Sequence, residues 1–188
     1  MWNSDPRLRD DEHLRVAISG RSGCGNSTVS KLVSEKLGIR MINYTFRSLA
    51  EEQGVSFAEM RQLAEEDPRW DKLVDTRQRE MALQGSCVLG SRLAVWVLRE
   101  EADLKVFLDA SEQERARRIM GREGGTFEQK LRETRQRDYN DHQRYLKLYG
   151  IDNNDYGFCD LIVDTERHDP EEIAELIAGT VRSLRPRD

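Results

Sequence analysis

A short apolar run that leads into a glycine-rich turn constrains the fold of this chain more than any other feature. Apolar residues 16–18 are followed by glycines at positions 20, 23 and 25, and then by apolar residues at positions 29, 32, 33 and 37. An apolar run without alternation is typical of a buried strand, whereas apolar positions three and four residues apart are typical of a helix. The sequence therefore predicts a strand, a tight turn and a helix in immediate succession.

The predicted turn has the spacing of a phosphate-binding loop. The interval from Gly20 to Gly25 and on to Ser27 fits the pattern G-x-x-x-x-G-K-[ST]. Glycines let the backbone wrap closely around a phosphate, while the inward N–H groups and the helix N-terminus attract an anion. The residues expected to bind ATP here are Gly20, Arg21, Ser22, Gly23, Cys24, Gly25, Asn26, Ser27 and Thr28. The Ser27 hydroxyl is the expected ligand of Mg²⁺.

One position of the loop departs from the pattern, because Asn26 stands where the motif has lysine. A neutral amide can donate a hydrogen bond but carries no charge. A tight turn that binds no ligand is the alternative interpretation, but the strand, the three glycines and the hydroxyl pair together favour nucleotide binding. Arg21 lies in the loop and is the candidate to supply the missing charge; the alternative is that it faces solvent.

Buried strands alternate with helices along the rest of the chain. Strands are predicted at residues 14–19, 39–42, 86–90, 104–108 and 160–164, and helices fill most of the intervals and the C-terminal segment. This alternation predicts an α/β fold, a three-layer sandwich with a five-stranded parallel sheet and helices on both faces. Ligands then bind at the carboxyl ends of the strands. Residues 44–84 contain more helix than one crossover needs, which indicates an insertion that closes over a second ligand.

Length, charge and cysteine usage narrow the class of protein. The 188 residues suit one domain, expected over residues 14–188, with the polar and aperiodic residues 1–13 as a flexible extension. The net charge of −5 argues against general nucleic-acid affinity. Cys24, Cys87 and Cys159 form neither a metal spacing nor a disulfide framework, which suits the cytoplasm. No apolar run approaches the ~18 residues of a membrane span.

An arginine-rich stretch covers two predicted helices that Gly124 and Gly125 join. Its arginines are Arg115, Arg117, Arg118, Arg122, Arg132, Arg135, Arg137 and Arg144. Arg137, Asp141 and Arg144 are spaced i, i+4 and i+7 and therefore share one helix face. The alternative is a solvated face of Arg–Glu and Arg–Asp pairs, but the cluster favours a mobile lid, residues 111–149, that folds over phosphates. Arginine suits bidentate phosphate contacts better than lysine.

With these segments in place, the chain after residue 14 resembles the nucleoside-monophosphate kinases and is most similar to the short archaeal-type cytidylate kinases. The resemblance rests on the phosphate loop and on residues 46–50, 75–78, 92–94, 115–122, 137–145, 149–152 and 163–165. It implies a P-loop NTPase fold that transfers the γ-phosphoryl group of ATP, with Mg²⁺, to CMP or dCMP. It also implies a monomer without nucleic-acid or membrane partners.

The resemblance assigns roles to individual residues. It implies a monophosphate site formed by Arg47, Asp75, Arg77, Arg92, Arg137, Asp141 and Arg144. The implied lid arginines are Arg118 and Arg122, of which Arg122 binds ATP, and the implied catalytic arginines are Arg21, Arg118, Arg137 and Arg144. Two positive charges must meet two anionic phosphates in line, which agrees with this set.

A second departure concerns the end of the third strand. Gly90 stands where the family usually has an acidic residue that helps to hold hydrated Mg²⁺. Together with Asn26, this keeps two further hypotheses open: a nucleotide-binding module with little turnover, and a P-loop kinase for another small acceptor. The complete arginine set favours the cytidylate kinase, since a pure ATP sensor has no need of a monophosphate site.

Overall fold

Five parallel strands form a single sheet in the computed structural model, which describes residues 13–184. The expected flexible extension, residues 1–13, lies outside the described residues except for His13. The strands are β1 (Arg15–Gly20), β2 (Arg40–Ile42), β3 (Cys87–Gly90), β4 (Leu104–Asp109) and β5 (Leu161–Asp164). Their order across the sheet is β2-β3-β1-β4-β5, and every neighbouring pair is parallel. All five predicted strands are confirmed, with bounds that shift by one residue at most.

Helices follow the strands in the predicted alternation. They are α1 (Asn26–Leu37), α2 (Phe46–Gln53), α3 (Phe57–Glu66), α4 (Arg69–Leu83), α5 (Ala94–Val97), α6 (Glu112–Glu123), α7 (Phe127–Tyr149) and α8 (Pro170–Leu184). Local capping explains several ends: the Ser56 and Ser111 side chains accept from the third backbone N–H of α3 and α6, and Gly38 ends α1 in the left-handed region. The short α5 was not predicted. No helix within residues 13–184 is both long and apolar enough to cross a membrane.

The sheet separates two apolar layers, which confirms the predicted three-layer sandwich. Val16 and Ile18 of β1 face α1 and α8, where Val33 and Ile177 are fully buried. Ala17 faces the opposite layer, which contains α5 and the aromatic residues that pack beside it. Successive strand residues point to opposite faces of the sheet, so a strand buried on both sides needs the continuous apolar run seen in the sequence.

Helices α2, α3 and α4 share an apolar cluster of their own. Leu49, Ala50, Met60 and Val74 are buried together, apart from the two layers of the sheet. These helices leave the sheet after β2 and return to it at β3, so they occupy the predicted insertion. Because β1 lies between β3 and β4, its carboxyl end opens at the centre of the sheet, beside the ends of both neighbours.

Candidate active site

The loop between β1 and α1 has the backbone that a phosphate nest requires. Gly23 and Gly25 have φ angles of 90° and 87°, which lie in the left-handed region that glycine tolerates. Gly25 caps α1, so the first N–H groups of that helix, beginning with Asn26, have no intrahelical acceptor. Ser27 and Thr28 are exposed on this first turn. The loop therefore combines free backbone donors with the positive end of a helix.

A cavity of about 520 Å³ opens above the loop. It is lined by every predicted loop residue from Gly20 to Thr28, by Gly90, Ser91 and Arg92 after β3, by Arg118 and Arg122 of α6, and by Thr165, His168, Pro170 and Ile173. The structure thus brings the predicted ATP-binding residues together with two lid arginines and with Arg92. Sequence reasoning did not identify the wall formed by residues 165–173.

Arg115 braces the loop from outside. Its side chain is only 1% exposed, and its Nη1 donates to the Ser22 carbonyl at 3.2 Å. The same guanidinium makes two hydrogen bonds to Asp138 of α7, at 3.1 and 2.6 Å. A Cβ at position 23 would lie 2.9 Å from the Arg115 Cβ, so Gly23 is needed for close packing as well as for its φ angle. The sequence placed Arg115 among phosphate-binding arginines, whereas the structure buries it as a support.

Two further arginines contact the loop. Arg118 donates from Nη1 to the Gly23 carbonyl at 3.4 Å and to Thr165 Oγ1 at 2.9 Å. Arg137 donates from Nη1 to Ser22 Oγ at 2.8 Å. Arg122 lies one turn beyond Arg118, mostly exposed, and pairs with Glu123. Hydrogen bonds to the Ser22 and Gly23 carbonyls hold these oxygens outward, which favours inward-facing N–H groups.

Arg21 contacts protein groups in this structure. Its Nη2 donates to Asn154 Oδ1 at 2.7 Å, and its Nη1 lies 4.0 Å from Asp109 Oδ1. It also lines the cavity. The guanidinium is therefore at the edge of the nest but is held by a loop that the sequence did not single out.

The oxygen atoms near the loop fit a magnesium ion that accompanies a nucleotide. Mg²⁺ keeps several waters and binds through substrate phosphates with few protein ligands. The Ser27 hydroxyl is exposed to the cavity, and Ser91 Oγ is buried without a hydrogen-bond partner among residues 13–184. Cys24 contributes its backbone alone, since its side chain is buried and burial raises the thiol pKa to about 11.

A second depression, open and about 480 Å³ in volume, lies on α7. Arg137, Asp141 and Arg144 line it, together with Glu133, Gln136 and Asn140. The structure thus brings the three residues of the predicted helix face into one concave surface. Arg137 belongs to this surface and also contacts Ser22, so it lies between the depression and the phosphate loop.

Carboxylates balance the arginines around this depression. Arg92 Nη1 lies 2.5 Å from Asp141 Oδ2, and Arg144 lies 3.3 Å from Asp141 and 3.2 Å from Asp71. Asp71 and Asp141 are each about nine-tenths buried. Burial raises the pKa of both carboxyl groups, while the arginines oppose that rise. The result is an ordered chain of alternating charges that joins β3, α4 and α7.

Asp75 lies behind this chain of charges. It accepts a hydrogen bond from the Tyr149 hydroxyl at 2.5 Å. Burial raises its pKa to about 6, and the Tyr149 hydrogen bond and the Arg144 charge act in the opposite direction. Asp75 thus joins the insertion to the C-terminal end of α7, beside the predicted acceptor site.

The remaining predicted residues lie further out on the insertion. Arg47 is exposed on α2 and stacks over the Phe57 ring, with its Cζ 4.7 Å from the ring centroid. Arg77 pairs with Glu52 and Glu80 at 2.8 and 2.9 Å. The structure does not bring Arg47 or Arg77 together with Arg137 and Arg144. The supporting residues that sequence reasoning missed are Asp71, Asp138, Tyr149, Asn154 and Thr165, and none of them belongs to a recognisable motif.

Sequence comparisons identify the relatives of this chain. The model of the cytidylate kinase-like family matches residues 15–167. Cytidylate kinase 2 of Borreliella burgdorferi is 42% identical over 172 residues, which cover 89% of this chain and 95% of the relative. Cytidylate kinase of Pyrococcus horikoshii is 37% identical over 177 residues, which cover 93% and 92% of the two chains.

Solved structures support the fold. Shikimate kinase from Bacteroides thetaiotaomicron superposes with a TM-score of 0.61 at 15% identity and covers 91% of this chain and 97% of its own. Deoxyadenosine kinase from M. mycoides with bound dCTP gives a TM-score of 0.54 at 18% identity, covering 90% of this chain and all of the other. The sheet order, the phosphate loop and the family match agree with one another. The chain belongs to the cytidylate kinase-like family.

Proposed function

We propose that this protein transfers the γ-phosphoryl group of ATP to CMP or dCMP, giving ADP and CDP or dCDP. The position of Arg137 is the observation that carries the proposal, because this arginine both contacts Ser22 of the phosphate loop and lines the depression that holds Arg144. One residue thereby joins a donor side to an acceptor side. The relatives that are named cytidylate kinases support the choice of acceptor.

The phosphate loop forms the donor side. Its backbone N–H groups and the N-terminus of α1 bind the ATP phosphates, and Arg118 and Arg122 border the same cavity. Mg²⁺ bound with ATP neutralises charge on the phosphates, and Ser27 is the residue that would hold it. Residues 165–173 of the cavity wall lie beyond the lid arginines and have room for the nucleoside of the donor.

The acceptor side is the depression on α7 with Arg92 beside it. Arg92, Arg137 and Arg144 bind the monophosphate, and Asp141 orients the first and last of these arginines. Asp75, Arg77 and Arg47 lie on the insertion and approach the acceptor nucleotide when the insertion closes. An oxygen of the CMP phosphate then attacks the γ-phosphorus, and ADP leaves with the electrons of the broken bond.

Positioning and positive charge account for the chemistry, because the transition state spreads charge over the equatorial oxygens. Arg137 is placed to stabilise this charge, since it stands between the two phosphate sites. Arg21 is an additional cation if its contact with Asn154 opens on nucleotide binding. Exclusion of water is also needed, since water would otherwise hydrolyse ATP.

The lid proposed at residues 111–149 closes at its tip. Arg115 and Asp138 fasten the bases of α6 and α7 to the loop, whereas Gly124 and Gly125 at the far end both have positive φ angles. Hydrogen exchange with an ATP–CMP bisubstrate analogue should therefore slow mainly around residues 120–131. Equal exchange with and without the analogue throughout residues 111–149 would show that this region is a fixed surface.

An assay of ADP release tests the proposed reaction. The protein is supplied with ATP, Mg²⁺ and each nucleoside monophosphate in turn, with dCMP included, and ADP and the nucleoside diphosphate are both measured. We expect the highest kcat/KM with CMP or dCMP. Tight ATP binding without any diphosphate product would favour the binding module that Asn26 and Gly90 suggest. Turnover with a different acceptor alone would favour the other kinase hypothesis.

A further inference from the structure

We infer that Asn26, Ser30 and Gly90 act as one unit, which we call the loop anchor, and that Asn26 is a positioning residue and not a phosphate donor. Through the loop anchor, Asn26 ties the end of β1 to the residue after β3 and thereby places Arg92 at the mouth of the cavity. The kinetic part of this inference rests on the proposed kinase activity, whereas its packing part does not.

The Asn26 amide is fully engaged with protein groups. Its Nδ2 donates to the Ile18 carbonyl at 3.0 Å and to the Ser91 carbonyl at 3.3 Å. Its Oδ1 accepts from Ser30 Oγ at 3.0 Å. A side-chain amide has two donor hydrogens, and both are used here. The side chain therefore has no donor left for a phosphate, although the backbone N–H of Asn26 still faces the nest.

The amide extends the pairing of two strands beyond its last pair. Ile18 is opposite Gly90 at the end of the β1–β3 register, and the Ser91 N–H already donates to the Ile18 carbonyl at 3.2 Å. The Asn26 amide adds a second donor to the same carbonyl and reaches the next carbonyl on the other chain segment. It thus fixes the spacing between the start of the loop and the segment that continues into Arg92.

Gly90 is required by this arrangement. A Cβ at position 90 would lie 2.3 Å from Ser30 Oγ, 2.7 Å from Ser30 Cβ and 2.9 Å from Asn26 Oδ1. Ser30 is fully buried and has little room to move. An acidic side chain at position 90 is therefore incompatible with Ser30 and Asn26, so the two departures from the family pattern have one steric cause.

Arg92 links the loop anchor to the acceptor. It is adjacent to Ser91, borders the phosphate cavity and pairs with Asp141 of the acceptor face. Loss of the Asn26 amide frees the Ser91 carbonyl and lets Arg92 shift. A displacement of about 1 Å in a positioning group can lower turnover by about 100-fold.

The packing part is tested by thermal unfolding. Gly90→Ala should lower the Tm by several degrees, up to about 10 °C, since overpacking must displace Ser30. The same change in a Ser30→Gly background should shift the Tm by less than about 2 °C, because the obstructing Oγ and Cβ are gone. Ser34→Gly, one turn later on α1, is the matched background for the cost of glycine in a helix. Equal losses in all three backgrounds would overturn the inference.

The kinetic part uses three variants of the whole chain. Asn26→Ala should lower kcat and raise the KM for CMP, while the Kd for ATP measured by calorimetry stays within about twofold. Ser30→Ala should change the same parameters in the same direction, and the double variant should be no worse than Asn26→Ala alone, because residues of one unit are not additive. A weakened ATP affinity with unchanged CMP parameters would instead identify Asn26 as a phosphate ligand.

Asn26→Lys gives the sharpest outcome. The loop anchor predicts that this change lowers turnover by about 10- to 100-fold, since lysine cannot accept from Ser30 and leaves the two carbonyls unlinked. If the site lacks only a positive charge, the same variant raises turnover. An increase would overturn the inference, and it would leave the proposed kinase activity intact.

Discussion

The donor and acceptor sides of the active site use arginine in different ways. On the donor side, Arg115, Arg118 and Arg137 donate to backbone or hydroxyl oxygens of Ser22 and Gly23. These arginines hold a backbone shape, and the backbone N–H groups are then available to a phosphate. The donor side is therefore a braced scaffold.

On the acceptor side, the arginines meet carboxylates instead. Arg92 and Arg144 pair with Asp141, and Arg144 also pairs with Asp71. A monophosphate that binds there competes with these carboxylates for the same guanidinium donors. The balance keeps the empty face ordered, and the comparison teaches that neighbouring arginines in one cluster can have opposite tasks, support in one case and ligand capture in the other.

The largest effect is expected from breaking the donor-side brace. Arg115→Ala leaves Asp138 and the Ser22 carbonyl without their partner, and loss of one member of a buried pair costs about 3–5 kcal/mol of stability. Urea unfolding measures this loss. Arg117→Ala, at an exposed neighbouring position on α6, is the control and should change stability little. Similar losses for the two variants would contradict a special role for Arg115.

Arg137 lies where the two sides meet and should matter for rate more than for stability. Arg137→Ala removes a charge near the transferred group and should lower kcat by about 10²–10³-fold, as loss of one transition-state donor does. Steady-state kinetics with ATP and CMP provide the measurement. Arg135→Ala, exposed on the same helix, is the matched control. The account fails if kcat is unchanged and only the unfolding midpoint falls.

Arg144 should affect one substrate selectively. Arg144→Ala is expected to weaken CMP binding by about 1.5–3 kcal/mol, the usual contribution of a hydrogen bond to a charged group. The affinity for ATP should change little, because Arg144 does not line the donor cavity. Calorimetric titration of each nucleotide measures both values, and unchanged CMP affinity would remove Arg144 from the acceptor site.

The smallest effect concerns Asp75 and pH. Burial raises its pKa from 3.8 to about 6, so between these values the folded protein binds more protons at this carboxyl than the unfolded chain does. The contribution of Asp75 to the free energy of unfolding therefore rises as the pH falls from 7 toward 4 and is lost as the pH rises through 6. Asp75→Asn should gain stability relative to the wild type at pH 7 compared with pH 5. A difference that does not change with pH would contradict the buried, partly protonated carboxyl.

The sequence predicted the fold closely because its signals are local. The apolar run before Gly20, the Ser111 cap and the apolar spacing of α8 each depend on a few neighbouring residues. Even the face shared by Arg137 and Arg144 follows from helix geometry alone. These features were predictable because strand and helix periods determine them.

The supports of the site could not be predicted in the same way. Arg115 and Arg118 are three residues apart on one helix face, yet one is buried against Asp138 and the other borders the cavity. Their difference depends on how α6 packs against α7, which involves contacts over 23 residues. The steric cause of Gly90 depends likewise on Ser30, a residue 60 positions away in the chain and without a motif of its own.

Binding of an ATP–CMP bisubstrate analogue, measured by calorimetry, tests most directly whether the braced and the charge-balanced sides form one phosphoryl-transfer site. The account predicts that the analogue binds much more tightly than ATP or CMP alone, and that Arg144→Ala reduces its affinity toward that of ATP. An analogue that binds no more tightly than ATP, with Arg144→Ala and wild-type protein alike, would contradict it.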